Sequence, residues 1–159
     1  MSTKVFQWLT PHGGANVYGQ DLTTGATGIE PGLLVVLSAN GQTVTLAAAT
    51  GSKPFGFAYG DRSLVYAPTT KTFDNGEAVA VLTGHGMVLM SADFFSSGSL
   101  PTEAAGGHNI YAAASGKIDV TGTNQIGRLI DLKTMTNPID GTGSSISTAL
   151  IEFEFGNAF

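Results

Sequence analysis

One short segment, residues 28–62, constrains the fold more than any other part of the sequence. It contains the uninterrupted apolar run LLVVL at positions 33–37, which is too short for an isolated helix and rich in branched side chains. The run therefore predicts a strand that is buried on both faces. Asn40-Gly41 follows it, and because both residues tolerate a positive φ, the pair predicts a tight hairpin turn.

Two further strands are predicted after this turn. Residues 42–46 alternate polar and apolar side chains, which is typical of a half-solvated strand. Residues 53–58 (KPFGFA) predict a third strand, with Pro54 at an edge or at the first position. The resulting unit is a strand, a tight turn, a strand, a loop and a strand with an aromatic-Gly-aromatic step.

The same order of elements occurs again nearer the C-terminus. Residues 109–114 predict a strand, Ser115-Gly116 a turn, and residues 117–120 the returning strand. Residues 125–130 then supply a third strand, with an Ile-Gly step where the first unit has Phe-Gly. The sequence thus suggests an internal repeat of one three-strand unit.

The intervening sequence predicts more short strands, at residues 62–67, 77–82 and 87–90. Gly84-His85-Gly86 interrupts the apolar residues of the last two. This break predicts either a tight hairpin or a bulge, and both would turn the chain sharply back on itself.

A single helical turn is predicted at residues 91–97, with Ser91 as its N-cap. The last strand is predicted at residues 146–155, where apolar residues alternate with Glu152 and Glu154. This alternation indicates one buried and one solvated face.

Short strands separated by Gly and Pro, with almost no helix, predict an all-β chain. The expected architecture is an antiparallel β-sandwich or a small β-barrel with at most one short helix. A length of 159 residues fits one domain. We expect a single β domain over residues 28–159, preceded by an extended N-terminal arm over residues 1–27, which is rich in Gly and contains few apolar residues.

Three apolar residues in the arm are candidates for docking on a partner or on a neighbouring subunit: Phe6, Trp8 and Leu9. Large aromatic side chains supply contact area at a low entropic cost. Alternatively, Trp8 caps the core of its own domain. The last strand offers a second candidate, because pairing with an exposed sheet edge of a partner would use its apolar residues Ile151, Phe153 and Phe155.

Composition narrows the classes of function. Charged residues make up 12% of the chain, about half of the usual ~25%, and the net charge is −5. A weakly charged, hydroxyl-rich surface is typical of a protein packed against other protein, although a weakly charged monomer is also consistent with it. Scattered basic residues argue against nucleic acid as a partner. The sequence has neither an apolar run of about 18 residues nor a signal peptide, so no membrane association and no secretion by that route are expected.

The sequence does not predict an enzyme, a metal site or a cofactor. Each histidine (His12, His85 and His108) lies next to Gly, without the spacing of preorganised metal ligands, although converging loops or threefold symmetry could bring histidines together. Glu152 and Glu154 share one strand face, which is more typical of a solvated edge than of an acid–base pair. The sequence contains no nucleophile elbow and no glycine-rich phosphate loop, and the absence of Cys excludes a disulfide framework.

The order of strands and glycines resembles the capsid cement or head decoration proteins of tailed bacteriophages. The resemblance covers about residues 28–132 and rests on five segments: GLLV at 32–35, PFGFA at 54–58, GEAVAV at 76–81 leading into GHG at 84–86, Tyr111 with Gly116, and IGRL at 126–129. Residues 1–27 and 133–159 lie outside it.

The resemblance implies a β-tulip-like virion protein, made in the host cytoplasm, that binds the outside of an assembled capsid. Its partners would be the major capsid protein and copies of itself, often as a homotrimer at threefold positions, and it would clamp neighbouring capsomers. An alternative is a carbohydrate-binding or fibre-tip module that stacks sugars on Tyr59, Tyr66 and Trp8.

Overall fold

The computed structural model describes residues 4–9, 15–18, 23–25, 28–59, 72–102, 108–136 and 142–155. The prediction of a mainly β chain is confirmed, since helical structure in these residues is limited to two 3₁₀ turns, Ala92–Phe94 and Ala114–Gly116. The strands in them are β1 (Phe6–Leu9), β2 (Ala15–Tyr18), β3 (Thr23–Thr24), β4 (Leu34–Leu37), β5 (Thr43–Leu46), β6 (Gly56–Tyr59), β7 (Ala80–Ser91), β8 (Asn109–Ala112), β9 (Ile118–Asp119), β10 (Gln125–Thr136) and β11 (Ser145–Glu154).

The described strands form one mixed sheet in the order β3-β5-β4-β6-β7-β11-β10-β8-β9, with β1 and β2 each paired to β7. The β3–β5 pair is parallel and the other strand pairs are antiparallel. The choice between a sandwich and a barrel stays a prediction.

The long strand β7 joins the two parts of this sheet. Its first half pairs with β2 and β6, and its second half pairs with β1 and β11. It is one strand through Gly84-His85-Gly86, so the tight hairpin that was one of the two predicted alternatives is wrong, and the bulge stays a prediction. Gly84 has a φ of +85°, which glycine adopts at little cost, and the strand continues on both sides of it.

The two predicted three-strand units have the same spatial order, β5-β4-β6 and β9-β8-β10, which confirms the internal repeat at the level of topology. The glycines of the Phe-Gly and Ile-Gly steps occupy equivalent places. A Cβ atom at Gly56 would overlap the carbonyl oxygen of Leu82 in β7, and one at Gly127 would overlap that of Glu152 in β11. Both positions therefore require glycine because the neighbouring backbone approaches so closely.

The first unit has apolar residues on both faces of β4, as predicted. Leu34 belongs to the main core cluster and Val35 to a second cluster, and both are fully buried. The hairpin at Asn40-Gly41 is also confirmed. Gly41 has a φ of +70°, and Asn40 Oδ1 accepts the backbone N–H of Gln42 at 2.9 Å.

The strand β1 is anchored in the main core through Phe6, which is 1% exposed. The centroid of its ring lies 5.5 Å from that of Phe57, 6.2 Å from that of Tyr59 and 6.1 Å from that of Phe94. Ser91 precedes the first 3₁₀ turn, as predicted. Its hydroxyl does not cap that turn, however, and instead accepts the backbone N–H of Val5 at 2.9 Å.

Candidate docking surface

The neighbouring strands β1, β7 and β11 present two faces, one of which packs into the main core. On that face, directly opposite residues such as Val88 of β7 and Ile151 of β11 are fully buried. Alternate residues point the other way. We call this opposite side the outer face; its residues are Gln7, Leu9, Met87, Leu89, Leu150 and Glu152.

The outer face is apolar at its centre. All six of its residues are half-buried, and none is among the described residues of the two core clusters. Opposite residues of antiparallel strands share a face, so the apolar members form one patch across three strands: Leu9, Met87, Leu89 and Leu150. A sheet with a solvated face normally carries polar residues there, and such an apolar patch is typical of a protein interaction surface.

Gln7 places an unsatisfied polar atom within this patch. Its side-chain oxygen Oε1 is buried and has no hydrogen-bond partner among the described residues. Leaving a buried acceptor unpaired costs about 1–3 kcal/mol. The patch therefore consists of apolar side chains next to one buried acceptor that has no hydrogen bond among the described residues.

A charged group borders the patch where β7, β11 and β10 meet. Glu152 receives a hydrogen bond from Arg128 Nε at 2.9 Å, and its other oxygen lies 2.8 Å from His85 Nε2. These two partners, His85 first and then Arg128, hold the pKa of Glu152 below the usual range of a glutamate. The three side chains are 50%, 22% and 63% exposed for His85, Glu152 and Arg128, so solvent weakens their attraction.

We expect Glu152 to make stability depend on pH in the acid range. Because its pKa is lower in the folded than in the unfolded protein, its contribution is complete above the usual glutamate pKa of about 4.3 and is lost as pH falls through the lower folded value. Glu152→Gln should reduce the difference in unfolding free energy between about pH 7 and about pH 3 by at most ~1 kcal/mol. Urea denaturation at both pH values measures this difference.

The matched control for this prediction is Glu154→Gln, which neutralises the exposed carboxylate two residues further along β11. In this variant, the difference in unfolding free energy between the two pH values should stay closer to that of the wild type. An equal reduction in both variants would assign the effect to net charge and contradict a specific role of the partners of Glu152.

A second ion pair lies further along β10, where Lys133 Nζ is 2.7 Å from Asp131 Oδ2. Asp131 Oδ1 also accepts the backbone N–H of Leu132 at 2.8 Å. The hydrogen bond from Lys133, and then that from Leu132, lower the pKa of Asp131. Charged side chains thus occur at two places along the border of the outer face, as in the polar rim of a protein interface.

The predicted docking residues of the N-terminal segment occupy different environments. Phe6 lies in the core, whereas Leu9 lies on the outer face opposite Met87. Trp8 pairs with Val88 in the register of β1 and β7, and its side chain lies outside the described structure.

The predicted pairing residues of the last strand lie inside the sheet. Ile151 and Phe153 are fully buried, and Phe155 is nearly so. The strand β11 has β10 on one side and β7 on the other, and the N–H of Phe155 donates to the carbonyl of Gly84. At Ile151 and Phe153 no free edge remains for a partner strand, because both sides of these residues are already paired.

The structure brings few of the other candidate residues together. The described residues contain no cluster of three potential metal ligands, and His12 and Tyr66 lie outside them. Tyr59 is fully buried and cannot stack on a sugar. A groove of about 570 Å³ lies beside Lys53, Phe55 and Phe155, and Glu154 is the only acidic residue among its described lining.

Comparison with known protein families identifies the chain. A family model described as "Structural cement protein (E217 gp24/Pam3 gp6)" matches residues 11–154, which is most of the chain. This protein belongs to the phage structural cement protein family. No curated protein matches the sequence. Membership gives the cement protein a structural, capsid-stabilising role in the virion, and it confirms the family to which the spacing of strands and glycines pointed.

The sequence indicates that the outer face of the cement protein is apolar, although it does not identify which face of the strand is the outer one. Residues 87–90 (MVLM) are four consecutive apolar residues, so both faces of this part of β7 must be apolar. Which face belongs to the core depends on the pairing with β1 and β11, which the local pattern does not contain. Among the described residues, no helix is long and apolar enough to cross a membrane.

Proposed function

We propose that this cement protein binds the outer surface of an assembled phage capsid and holds neighbouring capsomers together. The observation that carries the proposal is the apolar outer face with its charged border, in a chain that belongs to the cement family. A half-buried apolar centre surrounded by charged groups is the usual anatomy of a protein interface. The partner is the shell formed by the major capsid protein.

The N-terminal segment takes part in this docking through Leu9, which adds to the apolar patch next to Met87. Phe6 supports the surface from below, because it fixes β1 against the core. The docking function that we predicted for the N-terminal segment is thereby divided between a supporting residue, Phe6, and a contacting residue, Leu9.

Cementing further requires that one bound unit contacts more than one capsomer. A homotrimer at a threefold position satisfies this requirement, because a closed threefold interface directs three identical outer faces to one lattice. Each contact then acts at a high effective concentration once the first has formed. The weak surface charge favours such packing, since copies of the chain repel one another little.

The test introduces a charge at the centre of the outer face. Leu89→Asp should lower the affinity for capsids stripped of cement protein by about 100-fold, as removal of a central apolar contact does at interfaces. Cosedimentation of the variant with stripped capsids measures the affinity, and thermal disruption of the decorated capsids measures cementing. A melting curve of the free variant verifies that it folds.

Thr123→Asp is the matched control, since it adds the same charge at an exposed position outside the outer face. It should bind like the wild type. Binding of Leu89→Asp at wild-type occupancy would show that the outer face does not dock on the shell.

A further inference from the structure

The strands β10 and β11 extend beyond the rest of the sheet as a two-stranded ribbon. They stay paired up to Thr136 and Ser145, whereas β7 accompanies β11 only as far as Thr148. On the other side of β10, pairing with β8 ends at Arg128, followed by one hydrogen bond from Leu129 to His108. Among the described residues, positions 130–136 of β10 therefore have a partner strand on one side only. Such an edge is a template for pairing with another chain.

The side on which each backbone group of β10 lies follows from two hydrogen bonds. The carbonyl of Lys133 faces β11, because it accepts the hydroxyl of Thr148 at 3.1 Å. Backbone groups of successive strand residues point alternately to the two sides. The N–H of Leu132 therefore points to the open side.

On that open side, the N–H of Leu132 donates to Oδ1 of Asp131 at 2.8 Å. The second oxygen of the same carboxylate is held by Lys133 Nζ at 2.7 Å. One side chain thus occupies the exposed donor, and a second side chain fixes the first in place. The ion pair also leaves this stretch of the edge without net charge from these two residues.

Asp119 in β9 makes a similar pair of hydrogen bonds, although the outer side of β9 is already occupied, since Ile118 is bridged to Phe95. The strand β9 ends the sheet order, and Oδ1 of Asp119 accepts the N–H of Val120 at 2.7 Å. The other oxygen of Asp119 accepts a hydrogen bond from the hydroxyl of Ser96. In both places, one carboxylate oxygen of an aspartate accepts the N–H of the following residue, and the other oxygen contacts a second side chain.

We propose that Asp131 is an edge guard, which prevents copies of this chain from pairing through β10 by occupying the N–H of Leu132. A pairing strand would need that donor, and the carboxylate leaves no room for a carbonyl oxygen to reach it. The guard matters in a chain with few charges, because general repulsion between copies is weak. The proposal is independent of docking on the capsid.

The test compares two substitutions at position 131, where the side chain is 38% exposed and contributes little to packing. Asp131→Ala removes the acceptor, and its mean mass in sedimentation velocity should rise with concentration to at least about twice the wild-type value, because each strand pairing joins two wild-type units. Asp131→Asn retains an oxygen that accepts the N–H of Leu132, so it should sediment like the wild type. Melting curves establish that both variants are folded.

Cysteine reporters locate the contact, because the chain has no Cys of its own. Thr134→Cys lies on the guarded edge, and Ser97→Cys lies at an exposed position outside β10. With a bifunctional maleimide, the yield of cross-linked chains through Thr134→Cys should be several-fold higher in the Asp131→Ala background than in the wild-type background. The yield through Ser97→Cys should be the same in both backgrounds. A wild-type mass for Asp131→Ala, association of Asp131→Asn, or equal gains in linking at both reporters would overturn the proposal.

Discussion

Phe6→Ala is expected to lower the free energy of unfolding by about 3–5 kcal/mol, the usual cost of deleting a buried aromatic side chain. Phe6 is 1% exposed and its ring contacts Phe57, Tyr59 and Phe94. A Cβ atom at Gly32 would lie 3.1 Å from Phe6 Cβ, so the surroundings are closely packed. Urea denaturation of the purified variant measures the loss.

Leu9→Ala is the control for this prediction, because it shortens a half-buried side chain on the outer face of the same strand. It should cost about 1 kcal/mol or less, in proportion to the smaller apolar area that Leu9 buries. If Phe6→Ala cost no more than Leu9→Ala, the first residues would form an arm separate from the core, and the packing of β1 would contribute little.

Gly127→Ala is expected to destabilise the fold by about 3 kcal/mol or more, since overpacking against rigid surroundings has this order of cost. The added Cβ would overlap the carbonyl oxygen of Glu152 and lie 2.9 Å from the Cα of Phe153. These are backbone atoms of β11, which is held on both sides by β10 and β7 and cannot move away. Thermal and urea unfolding monitored by circular dichroism measure the effect.

Gly25→Ala provides the comparison, because its Cβ would meet only the end of a side chain, Thr45 Cγ2 at 3.1 Å, and no backbone atom within 3.4 Å. The methyl group of Thr45 can rotate away, and alanine also reduces the freedom of the unfolded chain. The change should stay within about 1 kcal/mol of the wild type. Similar losses at Gly25 and Gly127 would mean that the close approach of β10 and β11 is not what requires glycine.

The parts of the fold that the sequence predicted are those that local chemistry determines. The hairpin at Asn40-Gly41 forms because Gly41 adopts a positive φ and Asn40 Oδ1 accepts the N–H of Gln42. The alternation in residues 146–155 places Ile151 and Phe153 in the core. The repeat was visible for the same reason, since each unit carries its own turn and its own glycine step.

The parts that could not be predicted depend on pairing between distant residues. Phe6 lies opposite Met90, and no local pattern around Phe6 identifies that partner. The uninterrupted course of β7 through Gly84 also depends on strands β2 and β11, which pair with it on either side of the glycine. The outer face has the same origin, since Leu89 and Leu150 become neighbours only when β7 and β11 pair.

The central place of β7 has a consequence for the order in which the molecule can be built during translation. The strands β1 and β2 pair with β7, and β2 is synthesised about 60 residues before it. β11 follows β7 by roughly another 50 residues. Closing such long segments is slow, and chains dominated by distant pairings fold in milliseconds to seconds. Phe6 of β1 thus lacks its partner strand on the ribosome until β7 has emerged, and we expect the nascent chain to expose apolar surface during that time.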